Sequence, residues 1–292
     1  MIEGEVERVN IKVLADNVVG FRGRLLGQHG ASYYVEVYSG GSTKRILVDS
    51  GWNGDALLFN MKALNLDPRS IDAIVITHGH WDHTGGLVKV LEGSAGKTIP
   101  IIMHPYAMKT AFISEPSLRP VGIVSFGDLG ELKKLGGYPI LSKDPVKIAP
   151  GVATTGEIER KNDFERVEEN YIFVDEDGKL RHDDILDDIA LVIKFKDGVG
   201  VITGCGHSGI VNILEKAISL SNSERVKFVL GGFHLSEASE ERISRTIKSL
   251  SSLNIENIYA GHCTGMRAIC EMRRAFGTKF KQIHVGMEIE MG

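Results

Sequence analysis

The stretch THGHWDHTGG, residues 77–86, closes the nearly all-apolar run DAIVIT at residues 72–77. A short apolar run of this kind predicts a buried strand. His78, His80, Asp82 and His83 therefore stand where a buried strand ends. Imidazole nitrogen and carboxylate oxygen are good ligands for borderline divalent metals. In extended backbone His78 and His80 project to one side, two positions apart. Asp82 and His83 reach a second point nearby. Gly79, Gly85 and Gly86 permit tight backbone without side-chain crowding. Two pairs cannot fill two coordination shells, so the fold must bring further donors to the same place.

The rest of the chain offers strands and helices to do so. ASYYVEVYS (31–39) and KRILVDS (44–50) predict a hairpin across Gly40-Gly41. DALLFNMKALNL (55–66) carries apolar residues at helical spacing and stops before Pro68. A helix begins at GGLVKVLE (85–92). IALVIKF and VGVIT flank KDG, a hairpin signal. GIVNILEKAISL (209–220) predicts a helix, VKFVLGG (226–232) a strand, SEERISRTIKSLSSL (239–253) a helix capped by Ser239, and IENIYAGH (255–262) a final core strand. Residues 105–188 read as an irregular, proline-interrupted excursion that covers a site, with a helix at 128–135. VITHGHWDHTGGLVKVLE and VITGCGHSGIVNILEK echo each other, which suggests two β-rich halves facing one site. The expectation is a single domain over 1–292 in the α/β class, a four-layer α/β/β/α sandwich.

Composition narrows the function. Charged residues make up 25% and the net charge is −4, with no basic stripe for phosphate neutralisation, which argues against nucleic acid as a partner. No apolar run reaches membrane-spanning length, and MIEGEVERVN has no apolar signal core. Three cysteines, Cys205, Cys263 and Cys270, do not make a disulfide framework and fit a reducing cytoplasm.

The missing donors are expected at later strand ends. TGCGHSG places His207 beyond one strand, GGFHLSE places His234 beyond the next, and AGHCTG places His262 beyond the one after. A lone histidine at a strand end is usually structural. Three in matching contexts, beside an incompletely ligated loop, point to His207 and His262 as ligands. Cys205 and Cys263 read first as small buried residues. His29, in the turn GQHGAS, and Asp188, just before IALVI, are candidate substrate contacts.

The HxHxDH pattern of His78, His80, Asp82 and His83 resembles the signature of the metallo-β-lactamase superfamily. ILVDSG (46–51) resembles that superfamily's strand ending in Asp-x-Gly, which places Asp49 as an orienting group behind the metal loop. The resemblance runs from about residue 30 to 265 and implies the α/β/β/α fold. The superfamily's usual third histidine should lie near ATTGEIER, where Glu157 stands instead. Its usual bridging aspartate should follow Gly204, where Cys205 stands instead. QHGASYYVE, TGEIER, DDIALVI, TGCGHSGIVN, GGFHL and GHCTG together resemble the branch related to 7,8-dihydropterin-6-methyl-4-(β-D-ribofuranosyl)aminobenzene-5′-phosphate synthase.

That branch implies a metal-dependent transferase of methanopterin-type cofactor biosynthesis. It joins a dihydropterin methyl pyrophosphate to an aminobenzene ribosyl phosphate and releases pyrophosphate. One or two divalent ions, Zn²⁺, Mn²⁺, Fe²⁺ or Mg²⁺, would neutralise the leaving group. The ligands are then His78, His80, Asp82, His83, His207 and His262, with Asp82 arranging the chemistry and a small pterin-like, phosphorylated substrate; His234 is a candidate base, with an additional metal ligand or a buried structural imidazole as open alternatives. Two alternatives stay open: a metal-dependent hydrolase of a thioester, lactone or phosphodiester, and a non-catalytic, metal-stabilised binding protein with a thiolate-containing sphere.

Overall fold

The computed structural model describes residues 1–21 and 23–292. Two seven-stranded sheets form its centre. The first runs in the spatial order Glu288–Met291, Arg8–Ala15, Ser32–Ser39, Ser42–Val48, Ala73–Val75, Ile99–Met103 and Gly137–Leu141. Its pairing is antiparallel up to Ser42–Val48 and parallel beyond. The second runs Phe280–Gln282, Asn254–Gly261, Arg225–Gly232, Gly198–Thr203, Ala190–Phe195, Val152–Thr154 and Lys147–Ala149. Its first four strands are parallel and the others antiparallel.

Side-chain alternation along these strands builds three apolar layers. In Ala190–Phe195, Leu191 and Ile193 pack between the sheets with Val35, Ile46 and Val75. Ala190 and Val192 face the other way, onto Ile213, Leu214 and Ala217 of the helix Ile210–Ser221. Glu240–Ser252 and Met266–Phe276 cover the same face through Ile243, Leu250, Ala268 and Met272. On the outer face of the first sheet, Leu47, Ile74 and Ile101 meet Leu57 and Met61 of Gly54–Ala63 and Val90 and Leu91 of Leu87–Gly93. The layers are thus helix, sheet, sheet, helix, as expected from the sequence.

Local chemistry sets the element ends. Gly40 and Gly41, at φ 58° and 74°, make the two-residue turn that brings Ser39 opposite Ser42. Asn53 caps Gly54–Ala63 by accepting from Ala56 N at 3.0 Å, and Ser239 caps Glu240–Ser252 through Arg242 N at 3.1 Å. No helix among the described residues is long and apolar enough to cross a membrane.

The 105–188 segment departs from the expectation of irregularity. It supplies one strand, Gly137–Leu141, to the first sheet and two, Lys147–Ala149 and Val152–Thr154, to the second. Pro139 is accommodated because Gly137–Leu141 lies at a sheet edge. The segment also forms a four-stranded sheet of its own, ordered Leu180–His182, Tyr171–Val174, Ala111–Ile113 and Arg119–Pro120. Ile113, Arg119 and Tyr171 from this small sheet line the cavity described below.

Candidate metal centre

The parallel strands of both sheets deliver the polar side chains at their C-terminal ends. Asp49 follows Ser42–Val48, His78 follows Ala73–Val75, and Cys205, His234 and His262 follow three strands of the second sheet. Strand ends are where layered α/β proteins concentrate chemistry, because the backbone there leaves the ladder and side chains converge. After His80 the chain makes one helical turn, Trp81–Thr84, instead of continuing extended. That turn directs Asp82 and His83 away from His78 and His80, so the two pairs join different groups.

In one group the donor atoms of His78, His80 and His207 lie within 4.8 Å of one another. In the second, those of Asp82, His83, Cys205 and His262 do the same. The rings of His78 and His83 are 4.1 Å apart, so the groups adjoin. All six residues expected as ligands are therefore brought together, and Cys205 joins them. Asp82 Oδ2 lies 3.2 Å from His262 Nε2, 3.5 Å from His83 Nε2 and 3.4 Å from His29 Nε2. The third imidazole beside His78 and His80 is that of His207. Glu157 itself lies elsewhere, 3.3 Å from His104 Nε2.

The donor set fits a divalent cation on its own chemistry. The Nε2 atoms of His78 and His80 and both ring nitrogens of His207 are buried without a hydrogen-bond partner among the described residues. Each such atom costs on the order of 1–3 kcal/mol unless something binds it. Burial, reinforced by neighbouring imidazoles, pushes His78 and His207 well below the usual histidine range. Burial likewise takes His80 down to about 4. These rings are therefore neutral at pH 7, the form that ligates metal. Burial works against a charged Asp82, but His83 and His262 hold its carboxyl well below the usual range.

A second ring of residues fixes the donors. Asp49 accepts from Thr77 N, from Thr77 Oγ1 and from His83 Nδ1, each at 2.7 Å. It does so from left-handed backbone, φ 57°. His262, at φ 49°, is held by Asp16 Oδ2, which accepts its backbone N–H at 2.9 Å, and its Nδ1 contacts Asn17 Oδ1 at 2.9 Å. Gly204 has to be glycine: a Cβ there would stand 2.1 Å from Thr77 Oγ1 and 2.7 Å from Asp49 Oδ2. Asp187 accepts from Gly79 N at 2.8 Å and pairs with Lys109, anchoring the histidine stretch from outside.

The other expected residues fall in different places. His29 is half-exposed and lines a cavity of about 360 Å³ that opens beside the donors. His234 and Cys205 line the same cavity. Asp188 does not line it. Asp188 is fully buried and accepts from Ser208 N at 2.8 Å, bracing the loop that carries His207. The expectation that it contacts substrate gives way to a bracing position, and the neighbouring Asp187 is the one that reaches the histidine stretch. Several residues carried no local signal: Asn17, Arg119, Tyr171 and Ser236 also reach the cavity, Arg119 and Tyr171 from the small sheet. The adjacency of Asp187 and Asp188 in DDIALVI was the one available hint for the first of these aspartates.

A family model described as the metallo-β-lactamase superfamily matches residues 26–262. The chain belongs to the metallo-β-lactamase superfamily. Its fold implies binding of divalent metal, as the donor groups do. Over 289 residues, 98% of each chain, this superfamily member is 39% identical to the 7,8-dihydropterin-6-methyl-4-(β-D-ribofuranosyl)-aminobenzene-5′-phosphate synthase of Methanocaldococcus jannaschii. An uncharacterized protein of the same organism is 34% identical over 94% of this chain and 98% of its own. The crystal structure of a metal-dependent hydrolase of the β-lactamase superfamily superposes with a TM-score of 0.80 at 28% identity, covering 97% of this chain and 99% of the other.

Proposed function

We propose that the protein is a divalent-metal-dependent transferase that joins a dihydropterin methyl pyrophosphate to an aminobenzene ribosyl phosphate and expels pyrophosphate. The observation that carries this is the 39% identity to the archaeal synthase over 98% of both chains. The aligned 289 residues take in nearly the whole chain. His78, His80 and His207 would hold one ion, and Asp82, His83 and His262, with Cys205 beside them, a second. Bound there, a divalent cation supplies positive charge to a departing pyrophosphate.

The chain's own residues supply the remainder. Trp81 lies 5.3 Å from His29, and Tyr171 stacks on His80 at 5.6 Å with 11° between planes. These rings give a flat pterin faces to pack on. Arg119 stands at the cavity as a fixed cation for a phosphate group. An arylamine is weakly basic and attacks without first losing a proton, so no strong base is needed. The proton lost after attack can pass to solvent, so the step does not depend on His234, whose Nε2 meets Glu168 at 3.5 Å and Tyr171 at 3.4 Å.

The deciding assay supplies dihydropterin methyl pyrophosphate with and without the arylamine and follows pyrophosphate. Release that requires the amine, and that stops when a chelator removes the metal, is the expected result. A second proposal, hydrolysis, has its own support in the TM-score of 0.80 to a metal-dependent hydrolase. Equal pyrophosphate release without the amine, or fast turnover of simple thioesters or phosphodiesters, would favour it.

A further inference from the structure

Three adjacent strands of the second sheet, Gly198–Thr203, Arg225–Gly232 and Asn254–Gly261, run parallel. Two residues beyond the end of each stands a soft or borderline metal donor: Cys205, His234 and Cys263. Their donor atoms lie within 4.8 Å of one another. His234 and Cys263 belong to neither group of ligands described above; Cys205 is shared with the second.

The backbone is shaped to bring the three together. Cys205 and Cys263 leave strands that are not neighbours, so one must cross the end of the strand between them. Gly232 allows the crossing, because a Cβ there would stand 2.5 Å from Cys263 Sγ and 2.7 Å from Gly204 O. Cys263 Sγ then donates to Cys205 O at 3.4 Å. His234 is turned toward the thiols from left-handed backbone, φ 46°, a conformation a non-glycine residue holds only when its surroundings compensate.

The histidine also has the partner expected of a ligand. Glu168 meets its Nε2 at 3.5 Å and is itself held by Arg242 Nη1 at 3.1 Å. A carboxylate behind an imidazole orients it and raises its basicity toward a metal. The other ring nitrogen, Nδ1, is buried with no hydrogen-bond partner among the described residues. All three side chains also line the cavity, so a fourth coordination position would open onto it.

We propose that Cys205, His234 and Cys263 form a third metal position, selective for a thiophilic divalent ion such as Zn²⁺. Two thiolates and one imidazole exclude Mg²⁺ and disfavour Mn²⁺, which the neighbouring histidine and carboxylate donors accept more readily. Three protein ligands with an open fourth place are the arrangement of a reactive rather than a sealed zinc site. Each thiol releases its proton to solvent on ligation.

The test is metal counting on the intact protein. Purified protein is loaded with Co²⁺, freed of excess and assayed for metal per chain by mass spectrometry, with thiolate-to-cobalt charge-transfer absorption as a second readout. Cys263→Ser should bind one ion fewer and lose most of that absorption, while Cys270→Ser matches the wild type. In unmodified protein, Cd²⁺ should protect Cys263 from alkylation and leave the exposed Cys270 reactive, which covers the case of a variant that does not fold. An unchanged metal count in Cys263→Ser overturns the proposal, as does loss of every ion at once, since the position would then not be separate. Equal alkylation of Cys263 with and without Cd²⁺, or its recovery in a disulfide with Cys205 in protein that takes up no additional ion, overturns it as well.

Discussion

Asp49 does not line the cavity beside the donors, yet three hydrogen bonds to the metal loop end on it. Replacing it by Asn keeps the size and the tolerance for left-handed backbone but alters which His83 nitrogen carries the proton. Asp49→Asn should weaken metal affinity by about 10–100-fold, read by competition with a chromophoric chelator. Unchanged affinity would remove Asp49 from the role of orienting His83. Asp188 makes a different case. Burial pushes its carboxyl up to about 6 from an ordinary 3.8. The folded state thus binds this proton more tightly than the unfolded one. Its stabilising contribution is complete below pH 3.8 and is lost as pH rises to about 6. Two pKa units correspond to roughly 3 kcal/mol. Asp188→Asn should therefore gain stability relative to wild type at pH 7 and lose that advantage at pH 4, as read by urea melts at both pH values. A difference independent of pH would show that the carboxyl does not titrate in this way. At this scale the sequence marked the candidate ligands because they are packed into one short stretch or follow an obvious strand. It did not show Asn17, Glu168 or Tyr171, whose partners lie far away in the chain.

Elements that depend on local periodicity were legible: the hairpin at Gly40-Gly41, the helix Glu240–Ser252 and the strand Arg225–Gly232 fall within a residue or two of expectation. The helix Met266–Phe276 was not foreseen, since only Ala268, Ile269 and Met272 of it are buried and its charged residues obscure the stripe. The helix Ile210–Ser221 shows why ends are harder than middles. Gly209 offers it no side-chain cap. Glu165 does so instead, accepting from Val211 N at 2.9 Å and Asn212 N at 3.0 Å across a gap of more than forty residues. No local pattern announces such a cap. Glu165→Ala should cost about 1–3 kcal/mol and lower Tm, because two buried helix N–H groups lose their acceptor. Glu165→Gln, which can still accept one of those bonds, should lose less. Equal losses for the two variants would show that the side chain acts by packing alone.

The whole molecule joins two sheets whose shared apolar layer is closed at one end by the metal donors. His78, His80, Asp82 and His83 hang from the first sheet, His207 and His262 from the second. A bound ion is therefore a tie between sheets as well as a reagent. Metal that binds only the folded chain adds about 2–4 kcal/mol at a hundred to a thousand times its Kd. Stripping the protein with a chelator should lower Tm by roughly 5–10 °C, recovered on adding metal back. A melting curve indifferent to metal would mean that the ion adds nothing to the joint. The layered architecture itself was legible, because strands alternate with helices along most of the chain. The small four-stranded sheet was not, since its strands are short and interrupted by proline and charge.

The first sheet also carries a record of synthesis. Its strand Arg8–Ala15 lies between Ser32–Ser39, made soon after it, and Glu288–Met291, made more than 270 residues later. During synthesis one margin of this sheet therefore stays unpaired until residues 288–291 emerge, and the candidate ligand His262 appears shortly before that margin is covered. Completion of the donor groups and covering of that margin fall close together, so a chain stalled before them would carry an unpaired strand edge open to pairing with another chain.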